Sequence, residues 1–283
     1  MPLQFNEFYH ENTGLTIGLK KLLFSEQSDY QLVEVYETDT WGHLMTIDGM
    51  VMLSEKDEFV YHEMVAHPVM FAHPNPEKVL IIGGGDGGTA REVLKHSSVK
   101  HVDMVEIDEA VVRASEQFFP GIGAWDDKRL KVLFEDGIAF VKAAKAEYDV
   151  VIIDGSDPVG PAEGLFEKDF FQFCFDALKE DGVLSAQTES PWVQEYHKSI
   201  KKVFKALQEV FTETEMYLGF IPLYPAGMWS FAFASKGVQV QSDEVLERVE
   251  KGLTEFSDSL KYYNKEVHQG AFALPGFVKE IIQ

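Results

Sequence analysis

The sequence predicts an α/β fold, with a parallel sheet wrapped by helices and a small β domain ahead of it. Three observations carry that expectation. From Lys78 onward, short apolar strands alternate with helical segments, as βαβ units require. The strand at 79–82 is an unbroken apolar run, Val79-Leu80-Ile81-Ile82, suited to burial on both faces. It leads straight into a glycine-rich loop and then a helix. The 283 residues accommodate one large domain and a small appendage.

Residues 1–56 read as the β domain. Segments 15–19 and 30–36 alternate polar and apolar side chains, and 44–47 and 50–53 flank Asp48-Gly49, a two-residue hairpin turn. The remainder, 57–283, reads as the catalytic domain. A helix over 58–72 stops near Pro74 and Pro76. Strands follow at 79–82, 102–107, 130–134 and 148–153, separated by helices at 89–95, 109–118 and about 137–145. A fifth strand at 182–187, an amphipathic helix at 193–211 and a late strand at 231–234 complete the sheet. The tail, 241–283, adds helices without a further domain. This is a Rossmann-like layout of the type that adenosylmethionine methyltransferases use.

Twenty-five Lys and Arg face 47 Asp and Glu, a net charge of −22. Nucleic acid and anionic membranes carry the same sign and are poor partners for such a chain. A cationic ligand is compatible with it, although most of these acids are ordinary solvated surface. The single cysteine, Cys174, excludes an intrachain disulfide and cysteine-pair zinc sites, and its apolar surroundings in 170–175 suit a packing thiol. The start of the chain has no basic, apolar leader, and no stretch is apolar enough to span a bilayer. A cytoplasmic location is the simplest expectation.

Several motifs fail on spacing. His62 and His67 stand five apart, where a zinc-protease helix needs four. The glycine loop is followed by Thr89 and lacks the lysine of a phosphate-binding P-loop. Gly155-Ser156-Asp157 lacks the second glycine of a nucleophile elbow.

Gly83, Gly85 and Gly88 do satisfy G-x-G-x-x-G between strand and helix. Glu106 ends the next strand, where an acid can accept from a ribose diol. The odd residue is Asp86, inside the loop. A pyrophosphate there would meet a like charge at ~4 Å, costing several kcal/mol at an effective dielectric near 20. A dinucleotide is disfavoured and an adenosine bearing a sulfonium is favoured, with Asp86 suited to a purely cationic ligand end. A helix cap is the competing use of Asp86. Asp136-Gly137 follows the third strand, where Asp136 either meets an adenine amine or caps the next helix. Asp86, Glu106, Asp136, Asp154 and Asp157 all fall at the carboxyl ends of strands, where open parallel sheets bind ligands. A divalent metal is the alternative occupant of such a cluster, but the loop lacks the D-x-D-x-D-G pattern of a calcium site.

Gly-Gly-Gly-Asp-Gly-Gly at 83–88, Val-Glu-Ile-Asp at 105–108, Glu-Asp-Gly at 135–137 and Asp-Gly-Ser-Asp-Pro-Val-Gly-Pro at 154–161 together resemble the spermidine synthases, or aminopropyltransferases. Tyr61-His62-Glu63, Tyr224-Pro225-Ala226-Gly227, Tyr262-Tyr263-Asn264, His268 and Ala271-Phe272 extend the resemblance over nearly the whole chain. It implies transfer of the aminopropyl group of decarboxylated S-adenosylmethionine to putrescine, giving spermidine and methylthioadenosine, with no cofactor and no metal. It implies donor contacts at Gln31, Asp86, Glu106, Asp136, Gly137 and Pro161. Amine contacts fall at His62, Asp86, Asp154, Gly155, Ser156, Asp157 and Tyr224; many relatives carry Gln in place of His62. Asp154 is the candidate general base, with Tyr61 and Asp157 orienting the attacking nitrogen. The segment 154–166 is a candidate lid, and a homodimer or homotetramer paired through the β domain is implied. An intact-adenosylmethionine methyltransferase, a non-catalytic polyamine-binding protein and a dehydrogenase are the competing classes.

Overall fold

The computed structural model describes residues 3–10, 12–155, 164–256 and 259–283. Five strands form the first sheet: β1 (Leu3–His10), β2 (Thr13–Gln27), β3 (Leu32–Thr38), β4 (His43–Ile47) and β5 (Met50–Ser54). They pair antiparallel in chain order. The hairpin at Asp48-Gly49 forms as expected, with Asp48 and Gly49 both at positive φ. The sheet is larger than the alternation suggested. β2 runs well past 15–19, and β1 was not delimited by its pattern because both strands are largely solvent-exposed.

Helix α1 (Glu58–Ala72) links the two halves, continuing through Pro68. All of its residues except Phe59 are buried, which is why it reads as apolar on every side. The chain then alternates β6 (Lys78–Gly83), α2 (Gly88–Leu94), β7 (His101–Glu106), α3 (Glu109–Phe118), β8 (Leu130–Phe134), α4 (Gly137–Ala143) and β9 (Tyr148–Asp154). After α5 (Lys168–Ala177) and β10 (Leu178–Gln187), a short 3-10 turn enters α6 (His197–Val210). β11 (Glu213–Phe220) and β12 (Met228–Ser235) close the sheet, and α7 (Asp243–Phe256), α8 (Lys265–Ala271) and α9 (Gly276–Ile282) end the chain. β11 is an addition to the expected elements. None of the helices is long and apolar enough to cross a membrane among the described residues.

The second sheet has the order β11-β12-β10-β9-β6-β7-β8. Its five central and right-hand strands are parallel, and β12 and β11 add antiparallel at one edge. Helices cover both faces, as the unbroken apolar strands require. Val79, Ile81, Val150 and Ile152 face a core shared with α1, α2, α7 and α8. Leu80, Ile82, Val151 and Ile153 face the opposite core, with α4, α5, α6 and α9. Cys174 packs in the second core, where burial pushes its thiol up and keeps it protonated. The first sheet lies over α3, with Val33, Val35, Met45 and Leu53 packed on Ala110, Val111 and Phe119.

The chain reverses its direction of sheet growth after β8, so β9 returns beside β6. That pairing sets Gly83 opposite Asp154 and opens a crevice at their carboxyl ends. Glu63 ties the tail to this scaffold. Its buried carboxylate accepts from the backbone N–H of Lys261 (2.9 Å), Tyr262 (2.9 Å) and Tyr263 (2.7 Å). This explains two separated sequence motifs as one interaction. Glu63→Ala strands those buried donors and is expected to cost about 2–4 kcal/mol of unfolding free energy. Urea denaturation checks this, and an unchanged midpoint contradicts it.

Candidate active site

The crevice is an open cavity of about 950 Å³, mouth included. Its floor is the glycine loop and the ends of β6, β7 and β9. Gly83 adopts φ +83°, and a Cβ there would overlap the Asp154 carbonyl. The approach is real: Gly84 N–H donates to Asp154 O at 2.8 Å. The loop thereby places Asp86 and Asp154 in one wall.

Asp154 is gripped from two sides. Tyr61 Oη donates to Oδ1 and Thr89 Oγ1 to Oδ2, each at 2.6 Å. Burial and the nearby Asp86 charge raise its pKa, and His62, Thr89 and Tyr61 only moderate the rise. Burial, then Asp154, holds the Tyr61 hydroxyl well above its ordinary value, so it remains a donor. Asp86 shifts the other way. Burial opposes its charge, but the His62 ring and the Gly88 amide (2.7 Å to Oδ1) lower it. Asp86 stands one residue ahead of Gly87, the N-cap of α2, accepts from the helix's first amide at Gly88, and lines the cavity as well.

Glu106 accepts from Asp108 N–H at 2.9 Å, and burial pushes it up to about 7. Above it, Gln31 comes from the first sheet, in a turn held by Ser28 Oγ donating to Asp108 Oδ2 (2.8 Å). Asp136 caps α4, with Oδ1 accepting from Ile138 N–H (2.8 Å) and Ala139 N–H (3.3 Å), and it lines the cavity with Gly137. Met45, Ile47 and Met52 roof the space opposite Val105, Val111 and Ile138, forming an apolar slot.

A smaller cavity of about 390 Å³ adjoins the first at Met52, Tyr61, Gly155 and Tyr224. Glu7, Gln187, Pro225 and Trp229 extend it. Tyr224 Oη donates to Met52 O at 2.6 Å, pinning the first sheet to the β11–β12 connection. Glu7 Oε2 accepts from Val51 N–H at 2.8 Å, which carries a carboxylate from β1 to this cavity.

Gln31, Tyr61, Asp86, Glu106, Asp136, Gly137, Asp154, Gly155 and Tyr224 therefore line one connected space. Ser156, Asp157 and Pro161, and most of the expected lid, lie outside the described residues. His62 differs from its expected place. It is 1% exposed and absent from the lining of either cavity, and its Nε2 stands behind Asp86 at 3.1 Å from Oδ1. The physical reason is α1, which is buried all round and turns His62 toward Glu58 and α2. Thr89, Glu7, Gln187 and Trp229 were not singled out from the sequence. Thr89 follows the glycine loop and Trp229 lies two residues past Tyr224-Pro225-Ala226-Gly227, whereas Glu7 and Gln187 lie in no motif.

The family model of the spermine/spermidine synthase domain matches residues 58–244, and that of the spermidine synthase tetramerisation domain matches residues 3–55. The chain is 45% identical to a polyamine aminopropyltransferase of Alkaliphilus metalliredigens, covering 100% of this chain and 99% of the relative. It is 46% identical to polyamine aminopropyltransferase 1 of Bacillus cereus, covering 100% of both. Among solved structures, a spermidine synthase in complex with the transition-state analogue AdoDATO superposes with TM-score 0.94 at 45% identity, covering 100% of this chain and 96% of that one. The spermidine synthase of Thermotoga maritima gives 0.93 at the same identity and coverage.

The raised pKa of Glu106 has a measurable sign. The native state holds this proton to about pH 7, while the unfolded chain releases it near 4.5. Stability from this group is full below 4.5 and is lost as pH rises through 7. Relative to Glu106→Gln, the wild type is expected to lose about 3 kcal/mol across that interval. Urea unfolding of both proteins from about pH 4.5 to 8 checks this, and a pH-independent difference contradicts it.

Proposed function

The chain belongs to the spermine/spermidine synthase family and is an aminopropyltransferase, and from that premise we propose that it aminopropylates putrescine with Asp154 as general base. The donor is decarboxylated S-adenosylmethionine, and the products are spermidine and methylthioadenosine. The observation that carries this reading is the place of Asp154: in the wall of the larger cavity beside a second carboxylate, held by the hydroxyl of Tyr61 and followed by Gly155, two of the residues at which the smaller cavity adjoins.

The donor occupies the larger cavity. Glu106 and Gln31 hold the ribose end, Asp136 takes the adenine amine through its second oxygen, and the apolar slot takes the ring. The glycine loop presents Asp86 where a dinucleotide would need room for phosphate, which favours the ammonium of an aminopropyl chain. An intact α-carboxylate would meet the same charge and be rejected. The acceptor occupies the smaller cavity. Aromatic Tyr224 and Trp229 suit its methylene chain, and Glu7 with Gln187 suits its distal ammonium. Ser156, Asp157 and Pro161 complete the proposed ligand contacts.

The reacting amine must first lose a proton. With an ordinary pKa near 10, only about one part in 10³ is neutral at pH 7, a barrier of roughly 4 kcal/mol. Asp154, raised by burial and by Asp86, accepts that proton better than a solvated carboxylate. The nitrogen lone pair then forms a bond to the carbon next to the sulfonium. The carbon–sulfur bond breaks with its electrons going to sulfur, leaving neutral methylthioadenosine. Tyr61 and Thr89 fix the base, so the two substrates meet in line without an enzyme-bound intermediate. Exposed Leu3, Phe8 and Leu22 on the first sheet provide apolar surface for assembly into a homo-oligomer, which accords with the tetramerisation-domain match.

Asp154→Asn is expected to lower kcat by about 10²–10⁴-fold with donor binding retained. Mass analysis of products from decarboxylated and intact donors, each with a panel of amines, tests the substrates. Near wild-type turnover in the variant removes Asp154 from the base role, and preference for a longer amine removes putrescine. Asp86→Asn is expected to weaken binding of the decarboxylated donor and narrow its advantage over the intact one. Equal discrimination in competition assays contradicts that use of Asp86.

A further inference from the structure

We infer that His62 is a permanently charged imidazolium that holds Asp86 ionised and aimed into the donor cavity, a positioning residue that does not itself touch substrate. Its kinetic consequence rests on the donor reading above, while its charge rests on geometry alone.

Both ring nitrogens face carboxylates. Nδ1 lies 2.6 Å from Glu58 Oε2, and Nε2 lies 3.1 Å from Asp86 Oδ1. A neutral imidazole has one N–H and would turn a lone pair on the other carboxylate. The proton is not on Glu58, because the Arg91 guanidinium forks onto both of its oxygens, at 3.1 and 2.8 Å. Asp86 is held ionised by several donors at once: Oδ1 accepts from Gly88 N–H, both of its oxygens face His62 Nε2, at 3.1 Å (Oδ1) and 3.3 Å (Oδ2), and the Arg91 charge lies nearby. Burial alone pushes His62 down, but Asp86 and Glu58 more than reverse this, to about 10.

The ring is one link in a buried chain of alternating sign. Asp86 meets His62, His62 meets Glu58, Glu58 meets Arg91, and Arg91 Nε meets Glu92 Oε1 at 2.7 Å. Glu92 then takes His67 (3.0 Å) and Lys95 (2.6 Å). Each acid in the chain has a basic neighbour; the Glu58, His62 and Glu92 links are buried, while Arg91 and Lys95 keep partial access to water. The last glycine of the loop is part of this device. A Cβ at Gly88 would overlap the His62 ring, so the glycine makes room for an imidazole and not for phosphate.

Asp86 needs that cation because of what else faces it. Asp154 repels it from β9, Tyr61 adds no positive charge from α1, and Arg91 on α2 acts only through space. Remove the imidazolium, and Asp86 takes up a proton within the working pH range. It then offers the donor ammonium a neutral group.

Nitrogen-15 NMR of the full chain at about pH 8, with the ring assigned through its own backbone, reads the charge directly. Both His62 nitrogens are expected to be protonated, and a single protonated nitrogen overturns the inference. In His62→Gln, the donor KM is expected to be at least about ten-fold higher near pH 6 than near pH 8.5, with kcat changed far less. These values are taken relative to wild type at the same pH, which removes the titration of Glu106 that all the proteins share, and in His62→Gln/Asp86→Asn that ratio is expected to lose its pH dependence. A pH-independent ratio in His62→Gln overturns the positioning role, leaving His62 as packing. A chain that transfers an aminopropyl group to no amine defeats the proposed function, while the NMR result still decides the charge of His62.

Discussion

Asp86 and Asp154 share one wall of a cleft where burial penalises both of their charges. Neither can move apart, because Gly83 and Asp154 are paired across β6 and β9. The fold resolves this by giving each acid different company. Asp86 stands against the His62 ring and an amide, and its pKa is held down. Among the described residues, Asp154 has two hydroxyls and no cation in hydrogen-bond contact, and its pKa rises. Two identical functional groups are thereby given opposite tendencies, one to stay charged and one to hold a proton. Helix α1 supplies both Tyr61 and His62, one on each side of this division, so its burial, with Phe59 alone excepted, shapes the site as well as the core.

The first sheet is the other constraint. It packs on α3 through an apolar face and is pinned by Ser28 on Asp108 and by Tyr224 on Met52. These ties bring Gln31, Met45, Ile47 and Met52 over the larger cavity and Glu7 to the smaller one. A sheet matched by a tetramerisation-domain family therefore also forms the roof of the site. Perturbation of the assembly surface has a short physical route to substrate binding through these strands.

Much of this was readable in the sequence because the signals are local. Unbroken apolar runs at 79–82 and 150–153 identify doubly buried strands, and acids placed just after them identify the crevice. Asp86 and Asp136 each carry two readings, helix cap or ligand contact; the structure makes Asp136 the cap of α4, sets Asp86 one residue ahead of the cap of α2 with a bond to Gly88 N–H, and leaves both on the cavity wall. Strands β1 and β11 were harder. β1 is largely exposed, and β11 is half-buried at a sheet edge, so neither has a clean periodic pattern.

The sequence by itself determined which residues could do chemistry: a glycine loop carrying an acid, strand-end carboxylates, and an acid excess suited to a cation. Those properties depend on neighbours in the chain. Only the tertiary structure decided that β9 lies beside β6, that His62 turns away from the cavity toward Asp86 and Glu58, and that Glu7 reaches the site from the far end of the chain. Strand order and side-chain direction are set by contacts between residues distant in sequence, and no local pattern encodes them.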